Sequence, residues 1–386
     1  MDSSPAFSLT PQRNQKAHAL LHLFIQDYGL GQRVHRGYRP ANLIMEMFER
    51  VTSKDNFLEF FFSYVCESHK AAGETGEIDI TVALSYFESF TGDQSIDPSK
   101  SMIIKGALES FAENIVDNFL LPLRASSNKT PQVTPAALSL SQTPTPLGTR
   151  QRVSVLRKDC LVRDHHRCVI SRKFDLAEAR KRNAEDGDNC KDDNGNLLSS
   201  SSRGEFQYLE VAHILPHSLT TLAQGESELS EAKRKVFRIL DMFDPGLSHC
   251  LNGPNIDRPI NALTLTLDYH RLFSGFQIYF EPTGRPHEYK IDSLEESTFL
   301  RDPFFPVTRT LSLSSNQTID PPDPRLLRVH CAIAHIMKLS GAGDYIEKVL
   351  LDMQEVEVKA DGSTNLGYMM GLRLNGWLKT LSDLHA

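Results

Sequence analysis

The sequence has no apolar run of membrane-spanning length, no C-x-x-C cysteine pair and no overall excess of positive charge. Its longest apolar stretch, Phe57 to Cys66, is about half a bilayer span and is interrupted by Glu59, so no transmembrane helix and no membrane partner are expected. The first twenty residues lack the basic start and apolar core of a secretory signal. The expected location is therefore intracellular, with nucleus and cytoplasm left open because Arg180-Lys181-Arg182 is too short a basic cluster to decide. The cysteines, at 66, 160, 168, 190, 250 and 331, are scattered without the density of a disulfide framework, in keeping with a reducing compartment. A net charge of -7 excludes a protein that coats nucleic acid with its whole surface, because phosphate binding needs local positive potential.

What is present is globular in composition, with 40% hydrophobic and 24% charged residues. At roughly 150 residues per domain, 386 residues suit two or three folding units. The average charge hides a local asymmetry. From Arg150 to Arg182 eleven Lys/Arg face four acids, whereas from Asn183 to Glu210 seven acids face only Lys191 and Arg203. A basic run of this kind is more often a solvated face than a binding site.

Residues 1–125 read as an N-terminal helical region. Thr10-Pro11 supplies a cap and a first-turn proline, Ala17, Leu20, Leu21, Phe24 and Ile25 form an apolar stripe, and Gly29 can close the helix. Similar periodicity recurs over 40–50, 54–68 and 98–120, and its Met and Phe residues read as core. Residues 126–149 carry prolines at 131, 135, 144 and 146 among Ser and Thr, the composition of a flexible linker. A further unit, the core of the chain, is expected over 150–320, interrupted by a polar, acidic and loosely held insertion at 183–204. After Pro321-Pro322-Asp323-Pro324, helical periodicity over 325–339, 344–358 and 366–381 predicts a C-terminal helical cap at 321–386.

The chemistry concentrates in the middle. Phe206 to Leu215 (FQYLEVAHIL) reads as a strand stopped by Pro216, and Ile260 to Thr266 (INALTLT) as a second strand. Thr266 or Asp268 can cap the helix that follows at once and carries His270 in its first turn. This order, and the words E-V-A-H-I-L-P and N-A-L-T-L-T-L-D-Y-H-R-L-F, resemble the ββα-metal or HNH nuclease motif and look like a fungal family of HNH-domain proteins. The resemblance is specific over roughly 150–285. It implies an α+β fold, a ββα-metal core with flanking helical regions, and metal-dependent endonucleolytic hydrolysis of nucleic acid, DNA rather than RNA.

Phosphodiester cleavage needs a base for water, a cation for the charge gathering on phosphate and leaving oxygen, and fixed geometry. His213, whose ring at an ordinary pKa of about 6.5 accepts a proton at cellular pH, is the expected base. His270 is the expected metal ligand, and Asn261 is expected to tie the loop so that His213 stays aimed. Many HNH nucleases place an Asp or second His immediately before the base, and here that position is Ala212. Asp268 and Glu210 are the candidate replacements, and a hard oxygen ligand favours Mg2+ or Mn2+ over Zn2+. Arg157, Arg163, Arg167 and Arg258 are the expected phosphate contacts, as guanidinium forks match phosphate oxygens. Ala212 also supports an alternative, a catalytically degenerate HNH fold kept as a nucleic-acid-binding or protein-interaction module.

Overall fold

A computed structural model describes residues 9–67, 79–91, 95–127, 149–220, 222, 228–314, 318–354, 370–372, 374–375 and 377. Of the expected linker at 126–149, residues 128–148 fall outside them, as does most of the third C-terminal helical segment, while 126–127 and 149 belong to helices. The helices are α1 (Pro11–Tyr28), α2 (Pro40–Arg50), α3 (Lys54–Glu67), α4 (Ile80–Glu88), α5 (Pro98–Ile115), α6 (Leu121–Ser127), α7 (Thr149–Arg163), α8 (Leu176–Asp186), α9 (Glu231–Phe243), α10 (Leu247–Leu251), α11 (Leu267–Ser274), α12 (Pro324–Ser340) and α13 (Ala342–Gln354). The strands are β1 (Phe174–Asp175), β2 (Phe206–Gln207), β3 (Leu209–His213), β4 (Ala262–Thr266), β5 (Ile278–Pro282), β6 (Glu288–Ser293) and β7 (Val307–Thr310). The fold thus mixes helices with small sheets. No helix among the described residues is long and apolar enough to cross a membrane.

The chain divides into two compact units, one made of Met1–Pro122, Arg234–Ser248 and His335–Met369, the other of Leu123–Lys233, His249–Ala334 and Met370–Ala386. The first is helical. Thr10 caps α1 by accepting from Arg13 N–H, and Asp79 and Asp97 cap α4 and α5 in the same way, each relieving an unsatisfied first-turn amide. The apolar stripes meet in a core rich in phenylalanine, where the Phe61 ring meets Phe62 at 5.1 Å and Phe111 at 5.0 Å, both edge-on. These side chains are packing.

The second unit holds a ββα arrangement. Strands β3 and β4 pair antiparallel from Leu209 opposite Thr266 to His213 opposite Ala262. Thr266 ends the second strand and caps α11, its hydroxyl accepting from Tyr269 N–H at 3.4 Å, so the chain passes from strand to helix without a loop. Helix α7 closes one side through Leu156 and Cys160, which pack on Val211 and Ala262. Separately, β5, β6 and β7 form an antiparallel sheet.

The acidic stretch 183–204 differs from its expectation as a loose insertion. Cys190 and Leu198 are buried with Phe174, and the Asp192 carboxylate accepts from the Asn194 and Asn196 amides, the Asn196 side chain and Arg167. The two apolar anchors and this carboxylate turn fold a segment whose composition alone reads as unstructured.

Helix α11 is fixed from its C-terminal side by His330. Its ring lies flat between Phe273 and Phe276, with centroids 3.9 and 4.6 Å away, and its Nε2–H donates to the Phe273 carbonyl at 3.0 Å. Complete burial pushes this imidazole down to about 3, against the small upward pull of that carbonyl. In an unfolded chain the ring titrates at about 6.5. Between those values the unfolded state binds the extra proton, so this stabilisation is complete above about pH 6.5 and is lost as pH falls toward 3. Thermal melting between pH 7 and 4 is expected to show the loss, and His330→Gln to flatten it; an unchanged slope in that variant would contradict the assignment.

Candidate active site

His213 ends β3 and is buried, and its neighbours determine which ring nitrogen can react. Its Nε2 lies 3.1 Å from Asp257 Oδ1, while its Nδ1 is buried without a hydrogen-bond partner. A carboxylate only accepts, so Nε2 carries the hydrogen and Nδ1 keeps a lone pair. Burial holds this imidazole below its ordinary range, opposed by the hydrogen bond to Asp257 and reinforced by the positive charge that His217 or His270 would carry. The neutral form required of a base is thereby favoured.

His270, in the first turn of α11, shows the same pattern with the nitrogens exchanged. Its Nδ1 lies 2.7 Å from Glu210 Oε2, and its Nε2 is buried without a partner. Glu210 is on β3, three residues before His213, so the strand that carries one imidazole also carries the carboxylate that orients the other. This is the support usual for a metal-bound histidine, whose second nitrogen donates to a carboxylate. Asp268, the other candidate ligand, is exposed at the start of α11.

Asn261 is fully buried and uses its whole amide. Oδ1 accepts from Leu215 N–H at 2.9 Å, and Nδ2 donates to the carbonyls of Leu215 and Ile256, both at 3.0 Å. It joins the segment just after His213 to the turn that presents Asp257. Arg163 reinforces the same region, donating to the carbonyls of Pro259 and Ala262 and pairing with Asp164 through two hydrogen bonds. Its side chain has no exposure, which corrects its expected place among the phosphate contacts. Arg157 donates to the Leu209 carbonyl and faces Asp175, and Arg167 donates to the Arg172 carbonyl and Asp192, so both brace the fold. Arg258 is the most open of the four, half exposed and paired with Asp320.

Three residues that the sequence reading passed over complete the arrangement. Asp257, on the short turn before β4, is buried and accepts from His213 and from His217 Nδ1 at 2.7 Å through one oxygen, and from Arg152 Nε at 3.0 Å through the other. Burial alone would raise its carboxyl, yet the two imidazole hydrogen bonds hold it well below the usual carboxylate range. The ligand atoms of His213, His217 and Asp257 lie within 4.8 Å of one another, which makes them a candidate cation group. As arranged, however, both carboxylate oxygens are engaged by donors, one of them a guanidinium. The signals in sequence were Asp257 beside Arg258 in N-I-D-R-P and His217 after the strand-ending proline.

Residues 168–281 match the family model HNH_2, described as HNH endonuclease. The match supports an HNH-family protein. It covers β3, β4 and α11, and with them His213, Asn261 and His270. An HNH nuclease domain implies a nucleic-acid substrate, and use of a divalent metal is general in the family. No curated protein and no solved structure matches the chain.

The Asn261 amide leads to a direct test. Asn261→Ala strands three buried backbone groups, each costing about 1 to 3 kcal/mol, so urea denaturation is expected to show a loss of at least about 3 kcal/mol. Asn261→Asp should be comparably harmful, since a carboxylate cannot donate to two carbonyls. A loss under about 1 kcal/mol in both would remove the tie from the account.

Proposed function

We propose that this protein is a divalent-metal-dependent endonuclease of HNH type that hydrolyses phosphodiester bonds in nucleic acid, DNA in preference to RNA. The observation that carries the reading is the pair of buried, unpartnered ring nitrogens, His213 Nδ1 and His270 Nε2, each with the opposite nitrogen held by a carboxylate. On both rings the carboxylate-held tautomer leaves this lone pair available to a water proton or a cation.

His213 is the general base. Its Nδ1 lone pair accepts the proton of the attacking water while Asp257 holds the developing imidazolium, the Asp–His logic of hydrolytic sites. Asn261 acts on the reaction only by fixing the loop. His270 Nε2 fits a divalent cation, because Glu210 on Nδ1 fixes the tautomer that leaves this lone pair free. Bound there, the cation supplies charge neutralisation at the phosphate. Ala212 offers no ligand, so His270 backed by Glu210 would hold the cation with few protein donors, which suits Mg2+ or Mn2+ and a modest affinity. Arg258, exposed beside Asp257, positions the nucleic-acid backbone without reading its sequence.

Purified protein is expected to nick plasmid DNA with Mg2+ or Mn2+ and to stop with a chelator. His213→Ala should slow cleavage by about a hundred- to ten-thousandfold while keeping its metal-binding heat. His270→Ala should lose that heat and keep nucleic-acid affinity, and Ala212→Asp should tighten metal binding. Absence of metal heat in wild type, and none gained by Ala212→Asp, would favour the degenerate binding module.

A further inference from the structure

We propose that His217 is the general acid of this reaction, giving a proton to the leaving oxygen while His213 takes one from water. The inference rests on the nuclease reading above and assigns a second reacting group within the same site.

Both imidazoles share one acceptor. His213 Nε2 and His217 Nδ1 lie 3.1 and 2.7 Å from Asp257 Oδ1, with ring centroids 5.6 Å apart and planes inclined by 48°. Because that oxygen can only accept, each ring directs an N–H at it and offers its other nitrogen for chemistry. The reactive positions are therefore His213 Nδ1 and His217 Nε2.

Charge decides how many protons the pair holds. Arg152 on Oδ2 balances the Asp257 carboxylate, so two neutral rings leave the cluster neutral and one added proton makes it a single cation facing a phosphodiester anion. A second would place two cations on neighbouring rings. Of the two rings His217 is the one open to solvent, its side chain 13% exposed against 1% for His213, and His213, held below its ordinary range by burial, also faces His270, which sits in turn against Glu210. The buried ring therefore suits the base, and the solvent-facing ring, which water can reprotonate, suits the acid, the division of roles that unequal environments impose on paired groups.

The step balances. Water oxygen bonds to phosphorus and its proton passes to His213 Nδ1; the bond from phosphorus to the leaving oxygen breaks, and that oxygen takes the proton from His217 Nε2. Solvent then removes the His213 proton and restores the one on His217, so each cleaved bond consumes one water. With Ala212 offering no ligand, His270 would hold a cation with few protein donors, and a proton from His217 would answer leaving-group charge that a fuller metal site would neutralise.

The test compares two leaving groups. Plasmid DNA loses a poor alkoxide that needs a proton, whereas bis(p-nitrophenyl) phosphate loses p-nitrophenolate, which does not. His217→Gln is expected to slow DNA cleavage by about a hundred- to ten-thousandfold and to flatten the alkaline limb of its pH profile. On the p-nitrophenyl ester the same variant should stay within about threefold of wild type, whereas His213→Ala should be slow on both. Equal slowing of His217→Gln on the two substrates would overturn the proposal in favour of a merely structural role, and undiminished DNA cleavage would overturn it outright. Wild type inactive on both substrates would instead defeat the nuclease reading itself. Should His217→Gln not fold, nitrogen-15 spectra of wild type decide: His217 is expected to keep its Nδ1 hydrogen on Asp257 while its Nε2 takes up and loses a proton as pH is varied, and an Nδ1 without hydrogen, or an Nε2 that takes no proton across the active pH range, would overturn the proposal.

Discussion

The site is organised around the Asp257 carboxylate. Two imidazoles meet at one of its oxygens and a guanidinium at the other, and these three donors reach it from β3, the turn after β3 and helix α7. A buried carboxylate is tolerated only when its charge is met and its lone pairs are filled. Arg152 meets the charge. The imidazoles fill the remaining positions, and in doing so their tautomers are set. The ring chemistry of His213 and His217 thus follows from a folding requirement, and the tie made by Asn261 between Ile256 and Leu215 keeps the carboxylate in register with the end of β3.

Much of this was legible in sequence, for a physical reason. The ββα order depends on local signals: an alternating strand stopped by Pro216, a second strand with no loop before its helix, and Thr266 as the cap. His213, Asn261 and His270 fall inside those signals, so their placement on strand, turn and helix could be read from spacing. Glu210 was nameable because a strand brings every second residue to one face, although its role as the carboxylate behind His270 needed coordinates.

What escaped the reading depends on distance along the chain. Asp257 lies 44 residues from His213 and 40 from His217, and no local pattern announces such a pairing. Arg163 belongs to a basic run that looks suited to phosphate, yet adjacent Asp164 and two carbonyls about a hundred residues on take up its guanidinium. The 183–204 stretch misled in the opposite direction. Its acidic and serine-rich composition hides Cys190 and Leu198, and Asp192 gains its stabilising value only from amides two and four residues ahead and from Arg167. Composition counts residues, whereas a fold turns on which few of them are buried.

The absence of a carboxylate or histidine at Ala212 makes the cation the point on which the reading rests. Two places could receive one: the free Nε2 of His270, backed by Glu210, or the His213, His217 and Asp257 group, whose acceptor oxygens are already filled. Titrating the protein with Mn2+ and following paramagnetic broadening of the histidine imidazole signals separates them. Broadening centred first on His270, with His217 affected later and less, is the result the account predicts; broadening centred on His217, or none at any histidine, would contradict it.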